Sequence, residues 1–139
     1  MEEFYSKSNE ETLQIAEKFA KSLNAGDIVL LDGDLGAGKT VFSKGIVSAL
    51  SNGKEIAVSP TFVLLNIYKT TPPVYHFDLY RIGDISELDA IGAEEYFFGQ
   101  GISLVEWPSR AESMFPSSAI KVTIQKLGDN ERKILIDRK

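Results

Sequence analysis

The chain contains no cysteine and a single histidine, His76. The first absence removes disulfides, thiolate metal sites and a cysteine nucleophile, and the second removes any histidine-rich zinc site. No apolar run approaches the ~20 residues needed to cross a bilayer. The opening Met1-Glu2-Glu3-Phe4-Tyr5 is acidic and has neither the basic start nor the apolar stretch of a signal peptide. Secretion and membrane insertion are therefore not expected, and a cytoplasmic location is. A basic stripe is also missing: 15 Lys and Arg stand against 20 Asp and Glu, a formal net charge of −5. Phosphate neutralisation supplies most of the affinity of direct nucleic-acid binders. No direct high-affinity nucleic-acid binding is expected, and a part in an RNA process would run through protein partners. Internal repeats and Pro- or Ser-rich linkers are absent as well. With 139 residues, 43% of them hydrophobic and 25% charged, the chain suits one domain, 1–139, with one core.

What is present is an alternation of helical and strand patterns. Ser8 and Glu11 have the spacing of a capping box, and Leu13, Ile15, Ala16, Phe19, Ala20 and Leu23 form a helical apolar stripe ending near Asn24-Ala25-Gly26. Ile28 to Leu31 is a short continuous apolar run, the mark of a strand buried on both faces of a parallel sheet. A glycine-rich loop follows, then a second helix over Val41 to Leu50 that stops at Ser51-Asn52-Gly53. Val63 to Tyr68 and Val74 to Tyr80 read as an antiparallel hairpin. Short helices are expected from Asp84 and over Ala93 to Phe98. Ile102 to Val105 is a second buried strand, closed by Glu106-Trp107-Pro108. Ile120 to Gln125 and Lys133 to Ile136 read as a last hairpin across Gly128-Asp129-Asn130. The fold expected is α/β, a three-layer sheet of the P-loop NTPase kind with central parallel strands and antiparallel hairpin additions.

The loop Gly33-Asp34-Leu35-Gly36-Ala37-Gly38-Lys39-Thr40 matches G-x-x-x-x-G-K-[ST], the Walker A pattern, in full. Its glycines allow a turn tight enough to aim successive backbone N–H groups at anionic oxygens. The following helix adds its positive end. Lys39 can reach the outer phosphates of a bound nucleotide, and the Thr40 hydroxyl can ligate Mg2+. A buried strand before the loop and a helix after it separate this match from an ordinary turn. ATP, or ADP, with Mg2+ is the expected ligand. No guanine-reading Asn-Lys-x-Asp motif is evident, which favours ATP over GTP.

Such a site needs an acid at the end of a neighbouring strand, and two residues compete for that place. Glu106 ends the second buried strand, at the sheet edge where ligands bind in open α/β sheets. Asp78 lies in a strand whose alternation puts Tyr75, Phe77 and Leu79 on one face, taken as the core, and His76, Asp78 and Tyr80 on the other. Each acid could instead be a solvated strand end or a partner for Arg81 or Arg110. His76 carries no assignment. In Ser59-Pro60-Thr61-Phe62 the proline imposes an extended turn. Thr61 there could ligate Mg2+ or sense a γ-phosphate, or do neither. Trp107, the only tryptophan, reads equally as a core or interface anchor and as a nucleotide-stacking ring.

Asp34-Leu35-Gly36-Ala37-Gly38-Lys39-Thr40, Ser59-Pro60-Thr61-Phe62, His76-Phe77-Asp78-Leu79-Tyr80-Arg81 and Glu106-Trp107-Pro108 together closely resemble the bacterial TsaE family, also called YjeE. The resemblance runs over nearly the whole chain, in order and at the right spacing. The two downstream blocks make it specific, since the loop alone marks only a superfamily. It implies an ATPase subunit of the machinery that makes N6-threonylcarbamoyladenosine in tRNA. Such a subunit acts through a heterodimer of TsaD and TsaB and does not itself form the threonylcarbamoyl group. It further implies that Thr40 and Glu106 ligate Mg2+, that Asp78 supports the metal or the attacking water, and that Thr61 lies in a switch-like loop. Gly33 through Val41 would contact the nucleotide, with Trp107 close to Glu106. Thr12 and Arg132 would meet the base or ribose.

The reaction expected is slow phosphoryl transfer to water, with Lys39, Asp78 and Glu106 as the catalytic set and a partner completing the site. Two rivals remain: a small-molecule P-loop kinase, and a non-catalytic module in which nucleotide only tunes assembly. The dispersed arginines and the lack of a lid-length insertion argue against the kinase.

Overall fold

The computed structural model describes residues 1–34, 36–54 and 64–138. Leu35 and the Ser59-Pro60-Thr61-Phe62 turn, with Val63 after it, lie outside the described residues. The elements are β1 (Glu2–Ser6), α1 (Asn9–Ala20), β2 (Ile28–Asp32), α2 (Lys39–Ser51), β3 (Leu65–Tyr68), β4 (Val74–Asp78), α3 (Ser86–Ala90), α4 (Ala93–Phe97), β5 (Ile102–Glu106), a 3-10 segment (Pro108–Met114), β6 (Ile120–Lys126) and β7 (Arg132–Asp137). The strands form one mixed sheet in the order β1-β7-β6-β2-β5-β4-β3. β6, β2, β5 and β4 run parallel at its centre, while β3 joins β4, and β7 joins β6 and β1, antiparallel. Both expected hairpins are present.

Helices cover the two faces of the sheet. On one, α1 and α2 pack over Val29, Leu31, Leu104, Val122 and Ile124. On the other, Leu88, Ala93 and Phe97 of α3 and α4 pack over Ile28, Leu30, Phe77 and Val105. Consecutive residues of β2 thus enter opposite cores, which explains its unbroken apolar run. The helices on the first face nearly touch. A Cβ added to Gly45 of α2 would lie 2.6 Å from the Ala16 Cβ and 2.8 Å from the Leu13 carbonyl of α1.

Local chemistry sets the helix ends. The Ser8 hydroxyl accepts from the Glu11 amide at 3.1 Å, while the Glu11 carboxylate reaches back one residue beyond the usual capping box, to the Lys7 amide at 2.7 Å. The first helix stops at Ala20, earlier than its stripe suggests. There the Ser22 hydroxyl and amide both donate to the Phe19 carbonyl, and Leu23 is buried from the turn that follows. α2 ends as expected at Ser51, with Asn52 left-handed and its amide on the Ser48 carbonyl. Strand β1 was not expected. It exists by pairing with β7, Glu2 opposite Ile136 and Phe4 opposite Ile134. Among the described residues no helix is long and apolar enough to cross a membrane.

Candidate functional site

Parallel pairing brings the ends of three strands to one place. β2 leads into the glycine-rich loop through Asp32 and Gly33. Glu106, the last residue of β5, pairs with Leu31 of β2 on one side and Asp78 of β4 on the other. Both acids that compete in sequence therefore sit side by side beside the loop. Their shared strand parity with His76 and Leu104 puts all of them on the α2 face.

The loop is built around left-handed glycines. Gly36 (φ 77°) and Gly38 (φ 107°) adopt backbone that other residues resist, and Gly38 stands immediately before α2. At Gly33 a side chain has no room, since a Cβ would lie 2.6 Å from the Ile124 carbonyl. The Ala37 amide donates to the Asp34 carbonyl at 3.0 Å, closing the turn. Lys39, first residue of α2, is only 6% exposed, and its ammonium donates to the Gly33 carbonyl across the loop. Burial lowers its pKa from the ordinary lysine value, and four carboxylates oppose that shift, Glu106 first, then Asp32, Asp78 and Asp34. A desolvated ammonium among carboxylates at a helix start can seat an anion, and the carboxylates can hold a cation beside it.

Trp107 forms a wall of this seat. It follows Glu106 in a left-handed conformation (φ 58°), which turns the chain out of β5 and into the Pro108–Met114 segment. Its ring centroid lies 3.6 Å from the Lys39 ammonium, a cation–π contact. Tyr80 packs 4.8 Å from the Trp107 ring, and the Arg110 guanidinium lies 5.8 Å from the Tyr80 ring. The geometry sets the Trp107 ring between the loop lysine and the Tyr80 ring.

Glu106 is 3% exposed and His76 fully buried, with His76 Nε2 2.5 Å from Glu106 Oε2. In the sequence His76 carries no assignment, and the strand alternation reads its face as the one away from the core. Both faces of this parallel region are covered, so the alternation separates two cores and not core from solvent. The signal that could have found His76 is its place two residues before Asp78, which sets it on the same face. Asp78 is half-buried, and its carboxylate accepts from the Tyr80 amide at 3.0 Å. Burial raises its pKa and the nearby Glu106 adds to the rise, while that amide bond, His76 and Lys39 work the other way.

The remaining expected residues are spread. Thr40 and Val41 are half-buried in the first turn of α2, and Asp34 is exposed in the loop. Thr12 is buried in α1, where its hydroxyl lies 2.7 Å from the Ser6 hydroxyl. Arg132 stands against the loop itself: its Nε donates to the Ala37 carbonyl at 2.8 Å and Nη2 to the Gly36 carbonyl at 3.3 Å. Leu35 and Thr61 lie outside the described residues. Among those described, no group of three or more His, Asp or Glu forms a ready-made metal cage.

A family model described as "Threonylcarbamoyl adenosine biosynthesis protein TsaE" matches residues 6–134, nearly all of the elements just placed. The chain belongs to the TsaE family. Among relatives named tRNA threonylcarbamoyladenosine biosynthesis protein TsaE, that of Bacillus subtilis is 44% identical over 126 residues, covering 90% of this chain and 78% of its own. The Treponema pallidum TsaE is 35% identical over 131 residues, covering 94% and 96%. The Aquifex aeolicus TsaE is 38% identical over 141 residues, covering 100% and 98%. The crystal structure of Bacillus subtilis YdiB superposes with a TM-score of 0.80 at 35% identity, over 99% of this chain and 84% of that one. The α/β fold of this chain is thus similar to that of a solved structure.

Proposed function

We propose that this protein binds ATP with Mg2+ at the Gly33–Thr40 loop, hydrolyses it slowly, and serves tRNA threonylcarbamoyladenosine synthesis through TsaB- and TsaD-like partners. The fold would then be of the P-loop NTPase kind. The observation that carries the reading is Lys39: a nearly buried ammonium at the start of α2, resting on a loop carbonyl, with Glu106 and Asp78 at the adjoining strand ends. An ammonium donating to its own loop's carbonyl can exchange that acceptor for a phosphate oxygen.

The donor set suits Mg2+, which takes hard oxygen ligands and is commonly held by one or two carboxylates together with substrate phosphates. The Thr40 hydroxyl and the Glu106 carboxylate would hold it, with Asp78 beside them. Held there, the ion would supply positive charge to offset what develops on the phosphate during transfer. The chain's own part is to fix the acids: Glu106 is held by His76, and Asp78 by the Tyr80 amide. Thr61 is proposed as the switch-like residue. Slow turnover follows from where the arginines are. Arg132 is bound to loop carbonyls, Arg138 pairs with Glu2 at 3.2 Å, and Arg110 lies 5.8 Å from the Tyr80 ring, so none of these three is bonded to Lys39 or the two acids, and a partner would supply a further cation.

The pathway assignment rests on the family. Its relatives are named for tRNA threonylcarbamoyladenosine biosynthesis, and this chain spans most of their length. The test is calorimetric titration of the purified protein with ATP and Mg2+, repeated with Lys39→Ala, followed by turnover with and without TsaB- and TsaD-like subunits. Binding by wild type only, with slow hydrolysis that the subunits raise, is expected. Turnover at tens per second by the isolated chain, or wild-type binding by Lys39→Ala, would overturn the reading.

A further inference from the structure

Arg132 opens β7 directly after the turn that joins it to β6, and its guanidinium grips two segments at once. On the turn side Nη1 donates to the carbonyls of Gly128 (2.9 Å), Glu131 (3.0 Å) and Asp129 (3.3 Å). On the loop side Nε donates to the Ala37 carbonyl at 2.8 Å and Nη2 to the Gly36 carbonyl at 3.3 Å. The two loop residues are about 95 positions away along the chain. No local preference of the loop accounts for these bonds.

The consequence follows from peptide geometry. In a planar trans peptide the carbonyl and the next residue's N–H point in opposite directions. Drawing the Gly36 carbonyl toward Arg132 turns the Ala37 N–H away from it, and that N–H closes the turn on the Asp34 carbonyl at 3.0 Å. Drawing the Ala37 carbonyl the same way turns the Gly38 N–H away from the guanidinium. Gly38 is the residue immediately before α2, so this donor joins the free N–H groups at the helix start. The left-handed glycines make the loop easy to bend into several shapes. A cation bonded behind two successive peptides selects one of them.

We propose that Arg132 is a positioning residue of the phosphate cradle, a strut from the β6–β7 turn that holds the Gly36 and Ala37 carbonyls from behind and so keeps the Gly38 N–H aimed into the anion seat. This role differs from a contact to base or ribose, because the strut needs no atom of the nucleoside. A lysine reproduces it only in part, since one ammonium cannot span both segments as a planar fork does. The inference rests on the loop being a phosphate site.

The experiment compares wild type, Arg132→Lys and Arg132→Met by calorimetry with ATP and, separately, with inorganic tripolyphosphate. Backbone amide NMR of each protein without ligand accompanies it. The strut predicts that Arg132→Met weakens both ligands by the same factor, about tenfold or more. It also predicts that the Gly38 amide resonance moves in the ligand-free protein and that Arg132→Lys recovers part of both effects. A loss confined to ATP would identify a nucleoside contact and overturn the proposal. Unchanged affinity, or an unmoved Gly38 resonance, would do the same. If wild type bound neither anion, the phosphate-site reading would fail. The Gly38 resonance in Arg132→Lys and Arg132→Met would then still decide whether the strut shapes the loop.

Discussion

His76 Nε2 and Glu106 Oε2 lie 2.5 Å apart with both side chains withdrawn from water, on adjacent strands and on the face that carries the glycine-rich loop. The pair fixes the direction of a carboxyl group that ends β5 beside the loop. Its other ring nitrogen, Nδ1, is buried with no hydrogen-bond partner among the described residues. Nε2 therefore carries the hydrogen bonding of this ring.

Removing one member should be costly in an uneven way. His76→Leu leaves the Glu106 carboxyl buried without its partner, a loss of about 3 kcal/mol in unfolding free energy. Glu106→Gln keeps a polar group against the ring and should lose about 1 kcal/mol. Urea unfolding followed by circular dichroism compares the two. Equal, small losses would mean that the pair does not hold the strand ends together.

Lys39 should show the opposite balance between stability and binding. Burial, its largest influence, lowers its pKa below the ordinary 10.5. The folded chain then binds this proton less tightly than the unfolded chain does. Its contribution to stability rises with pH through the window between the lowered value and 10.5, and below that window the charge opposes folding in full. Lys39→Met should therefore keep or raise the ligand-free Tm at neutral pH, while ATP with Mg2+ raises the Tm of wild type alone. A marked fall in the ligand-free Tm of the variant would contradict this account.

The crossing of α1 and α2 predicts a penalty where helix propensity alone predicts a gain. Alanine in place of glycine inside a helix ordinarily stabilises by about 1 kcal/mol. At Gly45 the new methyl would meet Ala16 and the Leu13 carbonyl at 2.6 and 2.8 Å, and the second of these is backbone. Overpacking of this kind costs about 1–3 kcal/mol. Gly45→Ala should lower the urea midpoint, and a raised midpoint would show that the helices can part without loss.

Legibility in the sequence followed the range of the interactions. The strand–loop–helix unit and both hairpins were readable because glycines, turn residues and apolar runs lie within a few positions of what they determine. Strand β1 was not, since Glu2-Glu3-Phe4-Tyr5-Ser6 becomes a strand through β7, at the far end of the chain. His76 escaped because its neighbour in space, Glu106, is 30 positions away. Alternation alone cannot tell a second core from solvent. Arg132 was legible as a site residue only through resemblance, and its bonds to the loop carbonyls had no local signature at all.

Trp107 combines two properties that separate variants can pull apart. Its backbone is left-handed at φ 58°, which costs a residue with a Cβ about 1 kcal/mol and glycine little. Its ring covers the Lys39 ammonium at 3.6 Å, and Tyr80 packs on it at 4.8 Å. Trp107→Ala loses the ring and keeps the backbone strain, whereas Trp107→Gly loses both. The glycine variant should therefore unfold at higher urea than the alanine variant, by about 1 kcal/mol, with both below wild type. Because each lacks the ring over Lys39, calorimetry should give the two variants the same altered ATP affinity. If alanine were the more stable, the left-handed turn after Glu106 would not be what directs the chain away from the sheet. If ATP affinity followed the backbone change and not the loss of the ring, the wall beside Lys39 would belong to the turn and not to the indole.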